Sequence, residues 1–110
     1  MTADDFRRLA LGLPEAIEAA HMGHPDFRVG DRIFATLSAS GDRGMVKLTP
    51  DQQEVICAAE PELFVPAPGG WGRKGSTHIL LGAADEAAAR SALAMAWRNV
   101  APARLVGAQA

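Results

Sequence analysis

Asp26-Phe27-Arg28-Val29-Gly30-Asp31-Arg32-Ile33-Phe34-Ala35-Thr36-Leu37-Ser38 is the stretch that decides the fold. Gly30-Asp31 is a two-residue turn signal with glycine first, as a type II′ hairpin turn requires. Beyond it Ile33, Ala35 and Leu37 alternate with Arg32, Phe34 and Thr36, which predicts a strand whose first set faces a core. Upstream, Glu15 to His21 alternates more weakly, with Ile17, Ala19 and His21 opposite Ala16, Glu18 and Ala20. Met22-Gly23-His24-Pro25 reads as the loop between them. Downstream, Ser40-Gly41-Asp42 turns the chain into Arg43 to Leu48, which alternates again. Short turns between successive strands predict an antiparallel meander.

Helices flank the meander. Thr2 suits an N-cap, Asp4 and Asp5 favour the first turn, and Phe6, Leu9, Ala10 and Leu13 form one apolar stripe. Gly12 fits the residue after a helix, and Pro14 stops its return. Thr49-Pro50-Asp51-Gln52 carries a capping box with proline at the first helical position. Pro61, Pro66 and Pro68 keep residues 62–68 extended and off a central strand. Ser76 to Leu81 reads as a strand, and about Ala84 to Val100 as a long helix burying Leu93, Ala96, Trp97 and Val100. From Ala103 the structural signal is weak. The fold class is α+β: an antiparallel sheet of about five strands packed against N- and C-terminal helices, with residues 1–110 as one domain. The expected core is Phe6, Leu9, Ile33, Leu37, Leu48, Ile79, Leu93 and Trp97.

Composition narrows the function. The 110 residues are 48% hydrophobic and 22% charged, ordinary for a globular domain. No run approaches the roughly 18–20 apolar residues of a membrane span. One cysteine, Cys57, allows no internal disulfide, and the acidic start of the chain is unlike a secretory signal, so a cytoplasmic location is expected. The sequence leaves the oligomeric state open, with a monomer as the default. A net charge of −2 argues against a general nucleic-acid coat. Charge is uneven, however: residues 63–82 contain Arg73 and Lys74 and no acid.

No catalytic set emerges. The His21/His24 pair lacks the third and fourth donors of a zinc site, so neither metal nor cofactor is expected. Cys57 has no electropositive neighbour in the sequence and reads as an inert, buried thiol. Gly69-Gly70-Trp71-Gly72-Arg73-Lys74-Gly75 differs from the phosphate loop GxxxxGK(S/T), because it leads into a strand and Lys74 precedes a glycine. It reads as a flexible loop. Its two cations and indole suit phosphate contact and stacking. Alternatively, Trp71 covers the sheet edge while the cations stay solvated.

The ordered segments Phe6-Arg-Arg-Leu-Ala-Leu11 with Leu13-Pro14, His21-Met-Gly-His-Pro-Asp-Phe-Arg-Val29 and Arg32-Ile-Phe-Ala-Thr-Leu37 carry a family resemblance. So do Val46-Lys-Leu-Thr-Pro-Asp-Gln-Gln53, Trp71-Gly-Arg-Lys-Gly-Ser-Thr77 and Ala96-Trp-Arg-Asn-Val-Ala-Pro102. Together they resemble the MmcQ/YjbR family over nearly the whole chain. The resemblance implies a frataxin/CyaY-like sandwich, without implying iron chemistry, and a DNA-binding role for strands and loops. Iron handling would need an acidic ridge on the first helix and first strand, and Arg7 and Arg8 answer Asp4 and Asp5 and leave no such ridge. With no catalytic set in the sequence, the resemblance implies a non-enzymatic DNA-binding protein, and the net charge makes its expected binding weak and non-specific. Arg32, Lys47, Arg73 and Lys74 would contact phosphates, and Trp71 sugar or base. Arg32 could instead guard a strand edge, and Lys47 could simply face solvent. Two other readings are a protein-interaction module using the sheet face or the Trp71 loop, and a small-molecule pocket near His21 and His24.

Overall fold

Thr2 opens α1 (Ala3–Leu11) through a reciprocal capping box: its hydroxyl accepts from the Asp5 amide, and the Asp5 carboxylate accepts from the Thr2 amide. The structure, a computed structural model, describes residues 1–109. Gly12 ends the helix in right-handed geometry, and the left-handed position falls at Glu15 (φ 55°). Gly12 is therefore not the left-handed cap its identity suggested.

Four strands follow: β1 (Ile17–His21), β2 (His24–Val29), β3 (Arg32–Leu37) and β4 (Arg43–Lys47). His24 and Pro25 belong to β2 rather than to a loop, because Met22-Gly23 alone turns the chain and leaves His21 opposite His24. Gly30 and Asp31 both have positive φ, 57° and 65°. The turn is thus type I′ rather than II′, and either primed type matches the strand twist. The second capping box forms as expected, with Thr49 and Gln52 opening α2 (Pro50–Ala59). Then come β5 (Phe64–Pro66), α3 (Gly69–Arg73), β6 (Ser76–Leu80), α4 (Glu86–Val100) and α5 (Ala103–Gln109).

The strands make one antiparallel sheet in the order β1-β2-β3-β4-β6-β5. Six strands rather than about five arise because the proline-bearing segment pairs as β5 on the sheet edge, where a missing N–H is tolerated. Helices α1 and α4 cover one face and leave the other open. The α+β class and the flanking helices are as the sequence predicts.

One inserted residue changes the core. Ala35 lies opposite Phe27 and Ile33 opposite Arg28, so Phe34 is the extra residue of a β-bulge. Phe34 and Ala35 both enter the core, while Ile33 goes to the open face. Strict alternation had assigned Ile33 and Phe34 the other way round. Phe6, Leu37, Leu48, Ile79, Leu93 and Trp97 are buried as expected, and Leu9 packs half-buried against them. Phe27, Val29, Phe34, Val46, Phe64 and Leu81 complete this core. Past α4, the weakly patterned tail is helical as α5. The Arg104 guanidinium donates to both Glu15 carboxylate oxygens, at 3.0 and 3.1 Å, tying α5 to the chain after α1.

Candidate functional site

Strand register arranges the open face in rows. Ala19, Asp26, Thr36, Met45, His78 and Val65 are successive partners across the six strands. Residues two apart on a strand share a face. His21, His24 and Arg43 therefore flank this row on one side. Lys47 and Ser76 flank it on the other, joined by Ile33 through the bulge.

These side chains line a groove in two parts. One, of about 320 Å³, includes His24, Asp26, Ser38 and Arg43. The other, of about 470 Å³, includes Lys47, Pro68, Trp71 and Ser76. His21, Ile33, Thr36, Met45 and His78 belong to both. Asp26 is fully buried, and its oxygens accept from Arg28 Nε at 2.8 Å and Nη2 at 3.1 Å. The pair neutralises the carboxylate beside the groove, and its charge helps hold Arg28 protonated.

His78 is half-buried, and burial, reinforced by the Arg43 charge, lowers its pKa below the ordinary 6.5. The unfolded chain takes up this proton more readily than the folded one. Stability is therefore expected to fall as pH drops below 6.5 towards the lower folded value, with no further loss from this group beneath it. Urea midpoints between about pH 7 and about pH 5 check this. His78→Gln should flatten part of the slope, and an unchanged slope would mean that another group is responsible.

The sequence-predicted basic residues do not all meet. Lys47 Nζ lies 5.7 Å from the centroid of the Trp71 ring, in a cation–π contact. Asn99 on α4 donates to the Lys47 carbonyl at 2.9 Å and fixes that end of β4. Arg73 and Lys74 are exposed at the end of α3. Arg32 instead pairs across its hairpin with the core residue Val29, so it leaves the sheet on the helix side. Arg7, Arg8, Arg28, Arg43, Arg90 and Arg104 all have acidic partners. Among the described residues Arg32, Lys47, Arg73, Lys74 and Arg98 have none, and Arg98 lies in the last turn of α4.

The glycine-rich segment is not the flexible loop expected. It makes the single turn of α3, and the Gln53 side-chain amide donates to the carbonyls of Gly72 (3.0 Å) and Ser76 (2.9 Å). Trp71 remains 66% exposed instead of folding away over the sheet edge. Cys57 is half-buried, and desolvation raises its pKa, which disfavours the reactive thiolate. Among the described residues, no three His, Cys, Asp or Glu side chains converge as a metal site requires. Thr36, Met45 and His78 escaped the sequence reading as groove residues. Their two-residue spacing was visible, but the face left uncovered was not.

The YjbR family model matches residues 11–99. The chain belongs to the YjbR family. The match includes every groove residue and all of α3, while α5 lies outside it. Among solved structures, this YjbR chain is similar to Deinococcus radiodurans protein DR2400, described with the family-model domain DUF419. The TM-score is 0.76 at 22% identity, over 90% of this chain and 78% of that one, a likeness of fold. No curated protein matches the chain. No helix of this YjbR protein is long and apolar enough to cross a membrane.

Proposed function

We propose that this YjbR protein is a non-enzymatic, monomeric, cytoplasmic DNA-binding protein of weak and non-specific affinity. Lys47, Arg73 and Lys74 contact phosphates, and Trp71 packs against sugar or base. Arg32 lies outside this patch. The carrying observation is that Lys47, without an acidic partner, lies 5.7 Å from an exposed indole. That indole shares its short helix with the exposed, unpaired Arg73 and its C-cap Lys74, in a segment, residues 63–82, that contains no carboxylate. Such an arrangement attracts a polyanion locally although the whole chain carries −2.

Two to four phosphate contacts give a salt slope of only about −2 to −4. Binding is therefore expected at low ionic strength and should fade near physiological salt. The double substitution Arg73→Ala with Lys74→Ala should weaken it without lowering the thermal midpoint, because both side chains are exposed. Unchanged duplex binding by this variant at low salt would remove the patch from consideration.

A second reading, a protein-interaction module, draws on α2. That helix buries no side chain completely, leaves Val55 70% exposed, and borders a groove with Met95 of α4. Apolar docking there would persist as salt is raised, whereas phosphate contacts would not.

A further inference from the structure

We infer that the groove on the open face receives an unpaired nucleobase, so the preferred polymer is single-stranded. The inference rests on the nucleic-acid reading above and specifies which nucleic acid the surface takes.

Three features point to it. First, the groove is lined by the rings of Trp71, His21 and His78 together with Ile33, Met45 and Thr36, of which Thr36, Met45 and His78 form its floor across β3, β4 and β6. Rings of this kind stack on the π-face of any base, which gives affinity without sequence preference. In a duplex those faces are covered by neighbouring base pairs, and a base must leave the stack to expose them. A duplex can reach the cations at the lip but cannot fill the groove.

Second, the charge suits a nucleic-acid chain. Among the described residues, the only acid lining either part is Asp26, which Arg28 already holds. Third, cations stand at both ends. Lys47 is beside Trp71, and Arg43, whose Nε stands 3.9 Å from the exposed Asp42 carboxylate and is only loosely held by it, lines the far part four residues away on β4. That separation is on the order of 13 Å along an extended strand. Cations this far apart fit phosphates on both sides of a seated base, whereas a mononucleotide offers one cluster of charge.

The test compares a thymidine homopolymer of roughly 12 nucleotides, within the usual range of single-strand sites, with a duplex of equal length at low salt. Indole fluorescence reports on Trp71, because Trp97 is buried with its N–H donating to the Pro14 carbonyl. The single strand is expected to bind about tenfold more tightly and to quench the exposed indole. Thr36→Met raises the floor without adding a ring and keeps every cation, so it should reduce single-strand affinity towards the duplex level and leave duplex affinity unchanged. Circular dichroism checks its fold, and should it unfold, the parent's strand-to-duplex ratio decides.

Equal affinity for strand and duplex, or a strand preference that survives the raised floor, would overturn the base-binding groove and leave the phosphate patch standing. A thymidine mononucleotide that binds as tightly as the strand would overturn the polymer assignment. Binding of neither polymer at low salt would overturn this inference and the DNA-binding proposal together.

Discussion

Trp97→Ala is expected to destabilise the protein by about 3–5 kcal/mol, the usual cost of removing a large buried aromatic ring. Trp97 is 1% exposed within the buried stripe of α4, against the sheet and α1. Its indole N–H also donates to the Pro14 carbonyl at 3.0 Å, joining α4 to the chain after α1. The substitution removes the packing and the hydrogen bond together. For a domain of this size the thermal midpoint should fall by roughly 10–25 °C. Trp97→Phe keeps most of the apolar contact but orphans the carbonyl, and should cost about 1–3 kcal/mol. Urea and thermal melts separate the two variants. A midpoint within a few degrees of the parent in Trp97→Ala would contradict the central place of this side chain.

Gly75→Ala is expected to cost about 2–5 kcal/mol and to disturb the candidate site as well, combining backbone strain with overpacking. Gly75 has φ +111°, and a Cβ placed there would stand 2.0 Å from the Leu48 carbonyl oxygen. The obstacle is backbone, so no side-chain rotation relieves it. Either β6 or the end of β4 must move, and that movement separates Lys47 from Trp71. Gly70→Ala is the control. Its Cβ would meet only Arg73 Nη2, at 3.6 Å, an ordinary contact. On helix propensity it should be neutral or stabilise by up to about 1 kcal/mol. Thermal melts measure both costs, and indole fluorescence with low-salt DNA binding reports the site. If Gly75→Ala melts and binds like the parent, the close approach to Leu48 is not a constraint.

The two glycines show what a linear reading can and cannot supply. Glycine in a run such as Gly69–Gly75 suggests freedom, yet Gly72 and Gly75 are positions where another backbone approaches too closely for a side chain. A Cβ on Gly72 would lie 1.7 Å from the Ala67 carbonyl oxygen. The cations of the candidate site were legible as Arg73 and Lys74 in an acid-free segment. The approach of Lys47 to Trp71 was not, because it depends on β4 pairing with β6.

By itself the sequence determined the features whose physics is local. The capping boxes at Thr2 and Thr49 each close within a few residues, and the buried stripe of α4 repeats at helical spacing. Alternation around Gly30-Asp31 specified a hairpin, and with the flanking helices it specified the α+β class. Tertiary structure decided which way individual side chains go. The bulge at Phe34 sends Ile33 to the open face only because of how β3 aligns with β2. The weakly patterned tail from Ala103 is helical as α5 and is held by Arg104 to the distant Glu15. The groove gathers His21, Thr36, Met45 and His78 from four strands, and it is open because α1 and α4 pack on the opposite face. Caps and periods depend on neighbours within a turn or two, whereas bulges, close backbone approaches and uncovered faces depend on partners that only folding brings near.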